Sequence, residues 1–417
     1  MAEQLVLFRN GALVDGTSSD PKGPVDVLVE GNIIREVSDT RITADGAQTF
    51  DLKGRTIMPG LIDCHAHPTL TDMRVMSLEE IPQTLNAIRA TVVMRGMLDR
   101  GFTTIRDAAG SDWGLKEAVA SRSIPGPRLF ISGKALSQTG GHGDFRRRTD
   151  STMMPCSCSH ALHMTSRVAD GVDEIIHAVR DEMRKGADQI KVMVSGGVSS
   201  PNDPLEGCQY SAEELRAAVD EAARWGTYVL AHAYTPEAIS HAVHCGARTI
   251  EHANLIDKGA AESVAAAGAY VVPTLVTYDA LDELGEKLGL SQAMLEKLAV
   301  VRRAGMNSLE ICRAAGVKMG FGTDLLGITH DYQSREFLLR AQVEKPHEVI
   351  ASATRVNAEI VRREGKLGVI APGAVADILV VDGNPLADLQ LLQGQGQHLL
   401  AIMKDGHFHK NRLSELS

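Results

Sequence analysis

Short runs of alternating apolar and polar residues, interrupted by glycine, lie at both ends of the chain. The strand pattern occurs at residues 5–8, 25–29, 32–37, 376–381 and 400–403. Glu30-Gly31 and Asp405-Gly406 have the composition of short hairpin turns, so each is predicted to join two antiparallel strands. We therefore predict that residues 1–56 and 366–417 meet in one small β-sandwich domain, which the middle of the chain interrupts.

The middle of the chain, residues 57–365, alternates strand patterns with amphipathic helical patterns. The strand candidates are residues 57–63, 102–106, 128–132, 189–194, 227–231, 248–251, 269–274 and 317–322. Helical patterns cover residues 171–186 and 211–225, and the second opens on a capping box made by Ser211 and Glu214.

This alternation has the size and count of a TIM barrel, for which about eight β/α units in about 250 residues or more are typical. An open, doubly wound sheet is the alternative. Such a sheet does not bring the ends of its first, fourth, fifth, sixth and eighth strands around one point, whereas the mouth of a barrel does. The predicted fold class is therefore α/β, a (β/α)8 TIM barrel with a small β-sandwich domain built from both chain ends.

Composition narrows the class of protein. The chain has 417 residues, of which 44% are hydrophobic and 23% charged, as in an ordinary soluble protein with a large core. A net charge of −10 argues against nucleic acid as the main partner. No apolar run approaches the about 18 residues of a membrane span. The first residues lack a signal pattern, so we expect a cytoplasmic protein, or an exported one whose signal is absent from this sequence.

Two histidines follow the apolar run at residues 56–62. His65 and His67 are two positions apart on a predicted strand, so their side chains project to the same side. Adjacent imidazoles at a strand end suit a single metal ion. Two solvated histidines would give the same short motif, so the ends of the other strands decide between these interpretations.

Lys191 lies in a strand pattern whose alternate positions Ile190, Val192 and Val194 are apolar. If those three face the helices, the lysine faces the barrel interior, where an unpaired ammonium is costly. One interpretation pairs it with a nearby carboxylate. The other is that carbon dioxide carboxylates Lys191, which converts a cation into a bidentate anion able to bridge two metal ions.

Three more candidates end predicted strands. His232 and His252 each close one strand, and either one alone fits a hydrogen-bonded structural histidine. On adjacent strands of a barrel, the two together resemble ligands of a second metal ion. Tyr234 follows His232 by two residues and faces the same way if the backbone stays extended. Asp324 fits a helix N-cap, but it also fits a carboxylate that contacts a metal ion and takes a proton from water.

These residues carry a resemblance to the amidohydrolase superfamily. It extends from the run at residues 54–67 to the run at residues 367–382, and thus covers nearly the whole chain. The sequence is closest to the imidazolonepropionase-like, prolidase-like branch of metal-dependent dipeptidases, which includes ochratoxin-degrading amidohydrolases.

The resemblance implies a centre with two divalent metal ions, expected to be zinc. Its ligands would be His65, His67, Lys191, His232, His252 and Asp324. Lys191 would bridge the ions as N6-carboxylysine. The catalytic residues would be Asp324, together with His142 and Tyr234, which would contact the scissile carbonyl or the substrate carboxylate.

The implied reaction is hydrolysis of the amide bond to a C-terminal amino acid by a hydroxide that bridges the metal ions. The small-molecule substrate would be a dipeptide or N-acyl amino acid, ochratoxin A-like amides included. A cyclic-amide hydrolase of the imidazolonepropionase type is the alternative, and an inactive scaffold is the third interpretation. The intact candidate ligands count against the third. The resemblance also predicts a homo-oligomer.

The long connection at residues 133–170 contains His142 and three consecutive arginines that begin at Arg146. A solvated charge run explains the arginines, and the alternative is that one of them, Arg146, clamps a substrate carboxylate. Cys156 and Cys158 lack the usual spacing of zinc ligands, so we predict a plain loop there. Residues 195–200 are predicted to form a wall of the substrate pocket.

Overall fold

A computed structural model describes residues 4–146, 165–200, 203–285 and 290–416. The strands are β1 Leu5–Leu13, β2 Lys22–Glu30, β3 Ile33–Ser38, β4 Gln48–Asp51, β5 Thr56–Pro59, β6 Leu61–Ala66, β7 Phe102–Asp107, β8 Arg128–Phe130, β9 Ala135–Ser137, β10 Ser166–Val168, β11 Ile190–Met193, β12 Val229–Ala233, β13 Thr249–His252, β14 Tyr270–Val272, β15 Lys318–Met319, β16 Ile378–Val381, β17 Leu399–Lys404 and β18 His407–Asn411. The α-helices are α1 Gln83–Asp99, α2 Trp113–Ala120, α3 Gly171–Arg184, α4 Ala212–Arg224, α5 Pro236–His244, α6 Lys258–Ala266, α7 Leu275–Leu284, α8 Gln292–Ala314, α9 Arg335–Arg340, α10 Pro346–Ala351 and α11 Asn357–Ile360.

Strands from both chain ends form one sheet, in the order β18-β17-β16-β5-β1-β2-β3, with β4 beside β1. Both predicted hairpins are present, since Glu30 pairs with Ile33 and Lys404 with His407. One face of the sheet is a continuous apolar core. The expectation that the two ends meet in one β-sheet domain is confirmed, and the exact domain limits stay a prediction.

The middle of the chain forms a TIM-barrel-like parallel sheet, which confirms the predicted fold class. One segment has the order β6-β7-β8, and the other has the order β10-β9-β11-β12-β13-β14-β15. Backbone hydrogen bonds join the segments, from Cys64 N to Phe321 O at 2.8 Å and from Asp188 N to Ile131 O at 2.7 Å. The apolar residues of β11 pack with the helices around the barrel, as their alternation predicts.

The predicted strand at residues 57–63 is in fact two strands, β5 in the end sheet and β6 in the barrel. Gly60 lies at the break, and its amide donates to Asp377 O at 2.9 Å. A Cβ at this position would lie 2.1 Å from Thr103 Oγ1, so only glycine lets the chain pass. Strand β6, which contains His65 and ends one residue before His67, therefore begins directly where the domain formed by the chain ends stops.

Two further elements differ from the sequence-based prediction. The eighth barrel strand is only β15, because the chain after it leaves the ladder and the amides of Thr323 and Asp324 both donate to His65 O, at 3.1 and 2.8 Å. Strands β9 and β10, which were not predicted, are paired with each other and flank the connection that contains His142. The capping box at Ser211 and Glu214 is present as predicted.

Candidate metal centre

His65, His67 and Asp324 meet at the carboxyl ends of the barrel strands. Their ligand atoms all lie within 4.8 Å of one another. Asp324 Oδ1 is 3.5 Å from His65 Nε2 and 3.2 Å from His67 Nε2. His252 joins this group, since its Nδ1 lies 3.9 Å from Asp324 Oδ2. The residues that the sequence placed at separate strand ends therefore share one location.

Three of the imidazoles form a hydrogen bond to an acceptor outside the ligand group, and this bond fixes which ring nitrogen carries a proton. His65 Nδ1 lies 2.6 Å from Glu251 Oε2, His67 Nδ1 donates to Ala109 O at 2.9 Å, and His232 Nε2 donates to Gly196 O at 3.2 Å. His65 and His232 thereby keep their other nitrogen free of a proton, while His67 Nε2 faces Asp324 Oδ1 at 3.2 Å. This arrangement of outer acceptors is the one that prepares histidines to bind metal ions.

Unusual backbone conformations turn two of these side chains toward the group. His252 has φ of 73° and Asp324 has φ of 53°, in the left-handed region that non-glycine residues rarely adopt. Because of this turn, neighbours Glu251 and His252 both reach His65, although strict alternation would send them to opposite faces. The ring centroids of His65 and His252 are 4.8 Å apart. Strained backbone of this kind is typical of functional sites.

Burial keeps most of these histidines neutral. Burial lowers the pKa of His65, His232 and His252 well below the ordinary value, and their mutual proximity and Lys191 lower it further. Burial also depresses the pKa of His67, but its contact with Asp324 more than offsets this effect, so that pKa is raised. Neutral imidazole is the form that binds a metal ion.

Lys191 lies at the floor of the same site, with only 1% of its side chain exposed. In the part of the chain that the structure describes, no carboxylate lies within 4.0 Å of its ammonium nitrogen. Burial lowers the pKa of Lys191 to about 8. A buried lysine without a close counter-ion is costly as a cation, so its environment favours a neutral or modified side chain.

The donor set fits a divalent cation. Three imidazoles have an outer partner that orients them, and Asp324 supplies a carboxylate oxygen. Nitrogen and oxygen donors of this type suit zinc, manganese or cobalt. The described residues thus contain the metal-binding group His65, His67 and Asp324. The identity of the metal and the remaining ligand roles stay predictions.

The centre opens into a cavity that His142 and Tyr234 also line. The ring of His142 stacks on that of His232 with centroids 4.4 Å apart and planes 18° apart. The Tyr234 ring lies 5.0 Å from His232 and 5.1 Å from His252. The apolar part of the wall is formed by Leu70, Val75, Phe145, Met193, Val198 and Leu326.

Arg146 stands apart from the other predicted site residues. Its guanidinium donates to both carboxylate oxygens of Asp144, at 2.7 and 2.6 Å, and it is not among the described residues that line the cavity. A role in clamping a substrate carboxylate stays a prediction, in which the substrate would compete with Asp144. Cys156 and Cys158 lie outside the described residues.

Sequence reasoning missed a buried ion pair behind the centre. Arg106 donates from Nη2 to both oxygens of Glu251 at 2.8 Å, and both side chains are fully buried. Glu251 in turn binds His65, so the pair orients a candidate ligand. An arginine inside an apolar strand pattern was a usable signal, because such a residue needs a buried partner.

Three other contacts had no signal in the sequence. The Tyr278 hydroxyl, on α7, is 2.8 Å from the Tyr234 hydroxyl and 3.1 Å from His252 Nδ1. His142 Nδ1 is 3.2 Å from Asp203 Oδ2. All three contacts join parts of the chain that are distant in sequence.

None of the helices within the described ranges combines the length and the apolar character that a bilayer crossing requires.

Comparisons with known proteins agree with this geometry. The family model described as "Amidohydrolase family" matches residues 56–407. Ochratoxinase from Aspergillus niger is 32% identical over 369 residues, which cover 85% of this chain and 75% of that protein. The crystal structure of a prolidase complexed with N-methylphosphonate-L-proline is 48% identical, with a TM-score of 0.95 and coverage of 98% and 100%. That of a Xaa-Pro dipeptidase with methionine in its active site is 29% identical, with a TM-score of 0.88 and the same coverage of the two chains. The chain therefore belongs to the amidohydrolase family, with a metal-binding group at His65, His67 and Asp324.

Proposed function

We propose that this amidohydrolase cleaves the amide bond to the C-terminal amino acid of a dipeptide or N-acyl amino acid. The observation that carries the proposal is the convergence of oriented, neutral imidazoles, Asp324, His142 and Tyr234 on one cavity. The similar proteins support the substrate class, since one is a prolidase crystallised with a proline phosphonate and another an ochratoxinase.

Two divalent ions, zinc by expectation, would be held by six side chains. The residues are His65, His67, Lys191, His232, His252 and Asp324. Such ions, when bound, lower the pKa of a coordinated water toward neutrality and polarise a carbonyl group. Lys191 would take part as a carbamate, because its buried amine with a pKa of about 8 is partly unprotonated near neutral pH and open to carbon dioxide.

Asp324 is the proton carrier in this proposal. Its side chain is 23% exposed at the cavity, and its Oδ1 faces the two nitrogens of His65 and His67. Burial raises the pKa of Asp324, but the neighbouring basic groups and the hydrogen bond with His67 outweigh it and lower the pKa, so Asp324 is a carboxylate ready to accept a proton. It would accept the proton of the attacking water and deliver it to the leaving nitrogen.

His142 and Tyr234 act on the carbonyl side of the scissile bond. Both line the cavity, and both lie against His232. The Tyr234 hydroxyl shares a hydrogen bond with Tyr278, which fixes its direction. Donors that are held in place before the reaction stabilise the developing oxyanion without reorganisation. The apolar wall of the cavity would receive the side chain of the acyl residue.

The test is a substrate panel with zinc-loaded enzyme and bicarbonate. The panel contains dipeptides, N-acyl amino acids and ochratoxin A, and a second arm contains cyclic amides such as imidazolonepropionate. We expect turnover in the first arm. Turnover confined to the cyclic amides would overturn the proposal in favour of the imidazolonepropionase type.

A variant at Asp324 tests the proton step separately. Asp324→Asn keeps an oxygen for the metal but removes the base, so metal content should remain and turnover should fall by about 100-fold or more. Elemental analysis and steady-state kinetics measure the two quantities. Near-normal turnover with full metal content would contradict the role of Asp324.

A further inference from the structure

We propose that Asp203 is a positioning residue that holds the imidazole of His142 in its reactive orientation. The inference rests on the proposed function for its kinetic consequence, but its structural part concerns the ring of His142 alone. Asp203 belongs to the chain segment that follows β11 and faces the connection containing His142.

The described part of its own loop gives the His142 ring little support. The backbone amide of His142 donates to Gln209 Oε1 at 3.0 Å, which fixes the main chain but not the ring. The ring stacks on His232, and its Nδ1 contacts Asp203 Oδ2 at 3.2 Å. Stacking alone still permits the ring to tilt and to flip about its Cβ–Cγ bond, so the hydrogen bond to Asp203 sets which ring atom faces the cavity.

A glycine gives the ring its second flat surface. A Cβ on Gly197 would lie 2.1 Å from His142 Cε1 and 2.4 Å from its Nε2, so the backbone of Gly197 touches the ring. The amide of Gly197 donates to Asp203 Oδ2 at 2.9 Å. One carboxylate oxygen therefore binds both the ring of His142 and the backbone against which the ring packs.

Asp203 is itself fixed from the outside of the barrel. Its side chain is 1% exposed. Lys297, on α8, donates from its ammonium to the carbonyl oxygens of Asp203, Gly197 and Ser200, at 2.5, 3.1 and 2.7 Å. A helix thus anchors the wall that carries Asp203. The contact between Asp203 and His142 is therefore supported by helix α8, as a positioning role requires.

The contact with Asp203 determines how the His142 ring is oriented toward the cavity. With Nδ1 engaged by Asp203, Nε2 of His142 is the nitrogen left to face the cavity and the substrate carbonyl. Without the carboxylate, the ring can rotate, and the donor is misplaced for part of the time. A misplacement of about 1 Å is enough to lower a rate by about 100-fold.

Asp203→Ala and Asp203→Asn test the proposal together. The asparagine keeps an oxygen that can accept from His142 and Gly197, so it should retain the orientation, whereas alanine cannot. We expect Asp203→Ala to lower kcat by about 10-fold or more, with KM within about 3-fold of the wild type. Asp203→Asn should recover most of the lost kcat.

A double-mutant cycle separates positioning from a general structural role. If Asp203 acts through His142, Asp203→Ala has no further effect in a His142→Ala background. Asp257→Ala is the matched control, because Asp257 caps α6 outside the site. It should lower the Tm without changing kcat. Additive losses in the cycle would overturn the proposal.

Crystal structures of the wild type and of Asp203→Ala provide a readout that does not need a substrate. In the alanine variant the ring of His142 should lose its single orientation and occupy more than one position against His232. A ring that stays in place overturns the inference, whatever the kinetics. If no substrate in the panel is turned over, the proposed function fails, and the position of the ring still decides the role of Asp203.

Discussion

The ion pair between Arg106 and Glu251 offers the sharpest test of how the metal centre is supported. We consider Glu251→Gln, which keeps the shape of the side chain and removes its charge. In the native protein Glu251 accepts hydrogen bonds from Arg106, His65 and Thr249. The amide of glutamine turns one acceptor into a donor, which then faces the guanidinium of Arg106.

The cost follows from burial. Both side chains are 0% exposed, so the Arg106 charge cannot gain water when its partner is neutralised. Two unit charges about 4 Å apart attract by about 4 kcal/mol at an effective dielectric constant of about 20. Removing one partner of a buried pair typically costs about 3–5 kcal/mol, in agreement with this figure. His65 also loses its charged outer acceptor, which typically weakens metal binding by about 10- to 100-fold.

Urea unfolding of the metal-free protein at pH 7.5 measures the first quantity, and zinc competition with a chelator measures the second. Glu262→Gln is the matched control. It removes the same charge from an exposed pair with Lys258, in which the side chains are 60% and 86% exposed. That change should cost about 0–1 kcal/mol. If Glu251→Gln unfolds like this control and binds zinc normally, the argument from burial is wrong.

Two more predictions concern buried basic groups. Lys191→Ala removes the proposed carbamate, so metal content and turnover should both fall, and a short carboxylic acid should restore part of the activity; undiminished turnover would contradict the bridging role. His330 is buried, its pKa is lowered by burial to about 3, and its ring donates to Leu70 O at 3.3 Å. Because the unfolded chain takes up this proton below about pH 6.5, stability is complete above that pH and is lost as the pH falls. His330 should therefore account for about 2 kcal/mol of the unfolding free energy that the wild type loses between pH 7.5 and pH 5.0. His330→Gln should abolish this part of the loss, which urea unfolding at the two pH values measures.

The spacing of apolar and polar residues along the chain was sufficient to predict much of the fold and of the candidate site. Apolar alternation around Lys191 correctly predicted which residues of β11 pack against helices and that the lysine is buried. The spacing of His65 and His67 correctly predicted that both face one point, because strand geometry has a fixed period of two. These properties are local, so the sequence contains them.

The unpredicted parts depend on backbone turns and distant contacts. Alternation would separate Glu251 from His252, but the left-handed φ of His252 brings both to the centre. Histidine adopts this conformation more often than most residues, but still too rarely for the sequence to predict it. Asp203 reaches His142 only because two loops meet, and Lys297 on a third element holds one of them. Contacts of this kind follow from the assembled barrel.

The break at Gly60 has a consequence for biosynthesis. Strand β5 immediately precedes strand β6, yet its partner β16 is translated about 300 residues later, since Ile57 pairs with Val380. At about 5–20 residues per second, a ribosome needs about 15–60 s to supply that partner. During this time β5 has an open apolar edge, which is an aggregation hazard for the nascent chain. The strand that anchors the first two histidines therefore gains its second partner only after the chain around Val380 has been synthesised.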